Sequence, residues 1–277
     1  MGFKIENGVL ISYTAEKGKK EVIVPEGVKT IGKKAFWECE SLKSIILPDG
    51  LTSIEESAFC LCSNLSKVTI PDSLEKIGTA AFTGCSSLSE ISLPDSVTYI
   101  GNGAFSMCTR LKEFAIPPRI TSLSDRLFSG CVSLTNIEGL DSITKIGSDI
   151  FFNCKKLTSF IVPDGVTEIS FGTFRYCTAL VEVTLPKKLT AIGPYAFEKC
   201  ESLSHITIPR NVTSIGKGAF ENCISIGTIS IPKGVEQIGD YIFRDMEKLK
   251  SVRFDGQSYS TQKYSENEIY RILRREQ

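Results

Sequence analysis

Proline returns every 23 residues through most of this chain, at Pro25, Pro48, Pro71, Pro94 and Pro117 and again at Pro163, Pro186, Pro209 and Pro232. Cysteine keeps the same step, from Cys39 through Cys62, Cys85, Cys108, Cys131, Cys154, Cys177 and Cys200 to Cys223. A proline in every period rules out a coiled coil, since no helical repeat of 3.5 or 3.6 residues survives that interruption. What remains is a stack of similar supersecondary units, each packing only on its neighbours. Such an array also escapes the size at which a single core stops growing, so 277 residues need not mean two domains.

Ten copies run from 25–47 to 232–254. In the first, the apolar positions are Val28, Ile31, Ala35, Phe36, Cys39, Leu42, Ile45 and Leu47. Ile45 and Leu47 alternate as strand residues do, which predicts one rung of a parallel sheet per unit, ended by the proline. Ala35, Phe36 and Cys39 have the spacing of one short helical turn on the other side of the coil. The aromatic position is phenylalanine in every unit, from Phe36 through Phe128 to Phe243, and is expected to be a buried stack. Gly32 recurs as glycine at most equivalent positions but as Glu55, Ser124 and Ser170 at others, so the bend there calls for small size more than for positive φ.

The ends depart from the period. Residues 1–24 predict a capping hairpin, two alternating segments joined by Asn7-Gly8, followed by a polar loop at 14–20. Residues 255–277 predict a second cap with a short helix. Its start is Ser265 with Glu268 three residues on, a capping box. Ile269, Ile272 and Leu273 form its apolar face, and Arg271, Arg274 and Arg275 its outer side and C-terminal end.

Read from Leu42 to Cys62, the unit resembles the 23-residue leucine-rich repeat of BspA-like and Treponema-type proteins, with the pattern L-x-x-I-x-L-P-x-x-V-x-x-I-G-x-x-A-F-x-x-C. The resemblance covers residues 25–254. It departs from other leucine-rich repeats in lacking an asparagine ladder, whose place is taken by Gly50, Ser73, Ser96 and Arg119. It implies a β-rich α/β solenoid: a right-handed superhelix with a curved, concave parallel sheet and short helical turns opposite. It also implies a protein of bacterial or protist surfaces that serves adhesion or host interaction.

Composition narrows the partners. With 32 basic and 32 acidic residues the net charge is zero, which gives no field for nucleic acid or an anionic membrane. No stretch has the roughly 18 apolar residues of a membrane span, and the first residues lack a secretory apolar run. The chain as read is therefore expected to be cytoplasmic, whereas the resemblance implies the cell surface or secretion. A monomer is expected. The in-register cysteines are expected to be reduced core thiols, because parallel neighbours roughly 5 Å apart do not suit a disulfide. They also lack the close pairs of a zinc site, so neither metal nor cofactor is expected. Cys60, two residues out of register, is expected near the surface.

Outward positions of the strand series give Ser44, Lys67, Glu90, Glu113, Asn136, Ser159, Glu182, His205, Thr228 and Ser251, with a second column that includes Glu138 and Thr207. Glu182 precedes the only histidine, His205, by one period, and Ser159 lies one period earlier still. The carboxylate stands between the other two, the wrong order for a nucleophile–base–carboxylate relay, so an exposed ion pair or hydrogen bond is the expectation. Glu90, Glu113 and Glu138 predict a mildly acidic patch with too few oxygens for a calcium site. No glycine-rich phosphate loop is present, and no enzymatic constellation is assembled.

The period is least regular between 124 and 176. The small residue before phenylalanine becomes Leu127, Ile150 and Thr173, Leu140 replaces a proline, and Phe152, Phe171 and Tyr176 occupy positions that are polar elsewhere. Two readings stand: an interaction patch, or compensating changes in core packing. The expected function is a non-catalytic module that binds a protein partner or a host-matrix surface, with Glu90, Glu113, Glu138, Phe152, Phe171, Tyr176, Glu182 and His205 as candidate binding residues. The alternative is a scaffold domain of a larger surface protein without a dedicated ligand.

Overall fold

The computed structural model describes residues 2–14, 19–263 and 265–275, and within them every side chain except those at 266 and 275. Residues 15–18 of the expected polar loop and the side chain of Arg275 lie outside that description. The chain divides into two compact units, residues 1–142 and 143–277. Each is a β-solenoid of short strands stepped at 23 residues, and the described residues contain one α-helix.

In the first unit the strand Phe3–Glu6 pairs antiparallel with Val9–Tyr13, and Asn7 and Gly8 turn between them with φ of 49° and 78°. Two consecutive positive φ values are what a type I′ hairpin needs, and Asn-Gly supplies them. Val9–Tyr13 then pairs in parallel with Thr30–Ile31, and Glu21–Ile23 with Ser44–Ile46, so the cap founds two sheets. One holds the expected rungs, with Ser44, Ile45 and Ile46 opposite Lys67, Val68 and Thr69. The other, through Thr30–Ile31, Ser53–Ile54, Lys76–Ile77 and Tyr99–Ile100, is absent from the strand expectation. Its rungs are two residues long, too short for any alternation to register in the sequence.

The helical turn expected at Ala35, Phe36 and Cys39 is replaced by a chain of hydrogen-bonded turns. Ala35, Trp37 and Cys39 donate N–H back to the carbonyls of Gly32, Lys34 and Phe36. Lys34, Phe36 and Glu38, between them, donate forward to Glu56, Ala58 and Cys60 of the next coil at 3.1, 2.8 and 2.9 Å. A helix would direct every amide along its own axis and leave none for the neighbour. Alternation is achieved by left-handed residues, Lys34 at φ 58° and Glu38 at φ 56°, and the same two columns are left-handed at Ser57 and Leu61. That conformation costs a non-glycine residue about 1 kcal/mol. Gly84 and Gly130 hold it in their coils without that cost.

Inside this turn the phenylalanines stack. Phe36, Phe59, Phe82 and Phe105 follow one another at 5.0, 5.1 and 5.4 Å between ring centroids, and Phe3 and Tyr13 continue the column into the cap. The cysteines lie beside them and do more than fill space. Cys62, Cys85, Cys108 and Cys131 donate S–H to the carbonyls of Phe36, Phe59, Phe82 and Phe105 at 3.0–3.3 Å. Burial pushes the Cys62 and Cys131 thiols up to about 12, which keeps them protonated as donors. Cys60 is half-buried against Trp37 and Glu38. At the Gly32 column the constraint is close approach: a Cβ on Gly101 would stand 2.5 Å from the amide nitrogen of Thr79, and Gly101 has no positive φ. Ser124, its equivalent, fits by donating its hydroxyl to Ile100 O.

The second unit repeats this plan. Phe151, Phe174, Phe197 and Phe220 stack at 5.4–5.5 Å. Glu168–Ile169, Ala191–Ile192, Ser214–Ile215 and Gln237–Ile238 form the sheet of two-residue rungs. Its last coil ends in a hairpin, Ser251–Phe254 against Gln257–Ser260 across Asp255 and Gly256, both of positive φ. The helix Glu266–Arg275 follows. Ser265 N–H donates to Glu268 Oε2 at 2.7 Å, and Glu268 N–H donates to Ser265 Oγ at 3.3 Å, closing the capping box in both directions. Its buried face is Ile269, Tyr270 and Leu273, with Ile272 only half-buried, because Tyr270 packs on Phe243 and accepts its N–H. No helix is long and apolar enough to cross a membrane among the described residues.

Ten rungs are expected in the three-residue series, yet residues 88–94 and 203–209 hold no strand. Their coils keep their places through the other two faces, where Lys76 pairs with Tyr99 and Phe82 N–H bonds Ala104 O in the first unit. In the second unit Ile192 pairs with Ile215, and Phe197 N–H bonds Ala219 O. Nothing in the local sequence explains why these two rungs open.

Candidate functional site

The expected acidic patch is looser than its register implies. Glu113 lies opposite Asn136 and Ala115 opposite Glu138, all exposed, and the Glu138 carboxylate accepts from Asn136 Nδ2 at 3.0 Å. Glu90 sits on the open segment 88–94 and shares no hydrogen bond with Glu113. Among the described residues no group of carboxylates is gathered closely enough to hold a metal ion.

Glu182 and His205 do border one space, but neither the ion pair nor the hydrogen bond expected between them forms among the described residues. With the rung at 203–209 out of the sheet, a cleft of about 680 Å3 opens between it and Glu182–Thr184. His205 Nε2 lies 3.1 Å from Thr207 Oγ1, and Glu182 makes no ion pair with the ring among the described residues. Thr184, Lys187 and Arg210 complete the wall, and Asn211 Nδ2 braces it by donating to Lys187 O at 2.9 Å. A second cleft of about 880 Å3 lies on the far side of the same segment, against Thr228 and Lys250. Ser159 is opposite Glu182 and a strand away from the imidazole. A hydroxyl meets the imidazole here, and among the described residues no carboxylate bonds the ring, so what the cleft offers is hydrogen bonds and charge.

A denser arrangement lies on the turn side of the second unit. Phe152 packs on Tyr176 at 5.5 Å, and Phe171 on Tyr195 edge to face at 5.7 Å. Between the two tyrosines sits Arg175, its guanidinium 5.3 and 5.4 Å from their ring centroids. Lys199 covers Tyr176 at 4.9 Å, and further along the column Lys217 and Arg244 flank Tyr241. Tyr176, Tyr195 and Tyr241 are all left-handed, at φ 64°, 54° and 64°. Phe171 and Tyr241 stand 39% and 45% exposed in this patch.

Two ion pairs brace it. Arg175 Nε and Nη2 grip Glu198 at 2.5 and 3.2 Å, a fork on a carboxylate that is itself nearly buried. Glu221 meets Arg244 at 3.3 Å. Burial pushes the Glu221 carboxyl up, against the pull of Arg244. The order Arg175, Glu198, Glu221, Arg244 is a single sequence column at the 23-residue step, directly continuing from Phe152. The 23-residue step is the signal that aligns this column, once the turn face is known to stack as the strand face does.

The two readings of the irregular region therefore divide by residue. Leu127 in the first unit, and Ile150 and Thr173 in the second, are fully buried, and Thr173 Oγ1 bonds Ser170 O at 2.8 Å. These are packing substitutions. Phe152, Phe171 and Tyr176 remain at the surface, beside Arg175, Tyr195 and Glu198, none of which the sequence reading singled out.

Comparison with known proteins agrees with the repeat. Residues 15–135 and 144–267 match the family profile of the BspA type leucine rich repeat region, in six copies. No curated protein matches the chain. Among solved structures it is similar to a leucine rich cell surface protein of Faecalibacterium prausnitzii, at 25% identity over 90% of each chain with a TM-score of 0.51. It is similar also to the leucine rich repeat protein TpLRR of T. pallidum, at 30% identity over 70% of this chain and 82% of that one, again with a TM-score of 0.51. The pneumococcal vaccine antigen PcpA shares the fold, with a TM-score of 0.62 at 21% identity over 91% of this chain and 78% of that one.

Proposed function

The chain belongs to the BspA-type leucine-rich-repeat family, and from that premise we propose that it is a non-catalytic recognition module binding a protein partner on a cell or matrix surface. In this reading each unit winds right-handed, as parallel strand connections do, and the solenoid is a frame for side chains on its turns. One observation carries the proposal: aromatic rings and arginine, the residue types enriched where proteins bind one another, gather at Phe152, Arg175, Tyr176, Phe171 and Tyr195. Buried Glu198 holds Arg175 in place, so little conformational entropy is lost when a partner docks. The cell-surface relative from F. prausnitzii supports a surface location. The open cleft at His205 lacks an orienting carboxylate, which favours binding over turnover.

The test is surface plasmon resonance of the full chain over a panel of purified matrix proteins, run beside a Phe152→Ser/Phe171→Ser variant. Binding to at least one matrix protein, weakened tenfold or more in a variant with an unchanged melting curve, is the expected result, since losing two anchors of ~1 kcal/mol or more each is worth at least that. Equal binding by the variant removes the patch as the contact surface.

A further inference from the structure

A cavity of about 670 Å3 lies between the last coil and the C-terminal helix. Its helical wall is built by spacing alone: Asn267, Tyr270, Arg271 and Arg274 stand at i, i+3, i+4 and i+7, one face of the helix Glu266–Arg275. The opposite wall is Asp240, Tyr241 and Arg244, from the turn of the last coil. No aliphatic side chain lines it.

Two of the three guanidinium groups are already committed. Arg274 Nη2 donates to Asp240 Oδ1 at 2.7 Å and to Ile238 O at 3.2 Å, and it lies over the Tyr270 ring at 5.4 Å. Arg244 is held by Glu221 at 3.3 Å and Asp245 at 3.6 Å, and lies over Tyr241. Arg271 is different, since it borders the cavity and enters no ion pair or hydrogen bond among the described residues. Glu268, the acid one turn before it, is hydrogen-bonded by Ser265 and meets Arg271 only through weaker, longer-range attraction. The helix itself is anchored by buried Ile269 and Leu273 and by the bond from Phe243 N–H to Tyr270 Oη, so Arg271 projects from a fixed backbone.

A planar guanidinium whose N–H donors are not taken up by an ion pair or hydrogen bond, in a cavity, is a seat for an oxyanion, which it can grip with two parallel N–H donors. The cavity is far larger than one inorganic anion and lies in the range that takes an organic ligand. Its polar lining disfavours an apolar one. The remaining groups suit hydroxyls: the Asp240 carboxylate as acceptor, the Asn267 amide as both donor and acceptor, and phenolic Tyr241. We propose that this cavity binds an acidic saccharide, its carboxylate or sulfate on Arg271 and its hydroxyls on Asp240 and Asn267. The cavity shares Tyr241 and Arg244 with the far end of the aromatic column, but Phe152, Phe171, Arg175, Tyr176 and Tyr195, which carry the proposed protein contact, take no part in it, so the inference does not depend on that reading.

Isothermal titration calorimetry of the full chain in low-salt buffer tests this with five probes: glucuronate, glucose 6-sulfate, glucose, inorganic sulfate and the blocked peptide Ala-Glu-Ala. At least one acidic sugar should bind about tenfold or more tighter than glucose, and Arg271→Gln should weaken it about tenfold, as loss of a charge-assisted fork does. Arg271→Lys should restore part of that loss. Arg271 is exposed, so both variants should melt with the wild type. Failure of both acidic sugars to bind, or an unchanged affinity in Arg271→Gln, overturns the proposal. Inorganic sulfate binding as tightly as the sugars overturns it in favour of an adventitious ion only, and a tighter peptide overturns it in favour of a protein ligand.

Discussion

The buried thiols should make this solenoid unusually sensitive to alkali. Cys62, Cys131 and Cys177 are each pushed by burial from an ordinary value of 9.0 up to about 12. A group whose folded value is raised gives its full contribution below the unfolded value and loses it as pH rises towards the folded one. The window here is therefore pH 9 to 12. At pH 10 the unfolded thiol is mostly ionised and the folded one is not, a difference of a little over 1 kcal/mol per thiol, or roughly 4 kcal/mol for the three. Lysine and tyrosine titration acts over the same range, so the thiol part must be isolated by difference. Urea unfolding at pH 8 and pH 10 should be compared between the wild type and a Cys62→Ala/Cys131→Ala/Cys177→Ala variant. The variant starts less stable but should lose roughly 4 kcal/mol less over the interval. Should the triple variant not fold, Cys131→Ala alone should show a difference of about 1 kcal/mol. Equal losses in wild type and variant would refute the reasoning.

Three further outcomes follow from particular contacts. Phe82→Ala, which opens a gap in a stack held at 5.1 and 5.4 Å, should cost about 3–5 kcal/mol in chemical unfolding. Arg175→Ala leaves Glu198 buried without its partner and should cost about 2–3 kcal/mol, between an exposed pair and a fully buried one. Adding Glu198→Gln should recover most of that loss in the same unfolding titration, since the stranded charge is removed. His205→Ala should shift the melting temperature by less than about 2 °C, because an exposed bond to Thr207 contributes only a few tenths of a kcal/mol.

Much of the fold is legible in the period. Phe36 and Cys39 are buried or half-buried where the register puts them, and Ser44 faces Lys67 one period on. The turn at Ala35–Cys39 reads wrongly as helical because an i, i+1, i+4 spacing is also produced by alternating turns. The left-handed residues that distinguish them, Lys34 and Glu38, carry no compositional mark. The hairpin at Asp255-Gly256 was legible, since it repeats the Asn7-Gly8 signal, but the end of the period masks it. Of the candidate site, the outward aromatics Phe152, Phe171 and Tyr176 could be found as breaks in the pattern. Arg175 and Glu198 could not be recognised as partners without knowing that the turn face, like the strand face, aligns residues 23 apart. The opening at His205 has no sequence signal at all, because Ser204-His205-Ile206-Thr207 alternates like any other rung.

The most direct test of the account sets its two surfaces against each other in one binding assay. A Phe171→Ser/Tyr195→Ser variant dismantles the turn-side patch, and a Glu182→Gln/His205→Ala variant alters the open rung while leaving the patch whole. Against a matrix protein that the wild type binds, the first should lose tenfold or more in affinity and the second should stay within about twofold. Undiminished binding by the patch variant, with loss in the Glu182/His205 variant, would contradict it and move recognition to the strand face.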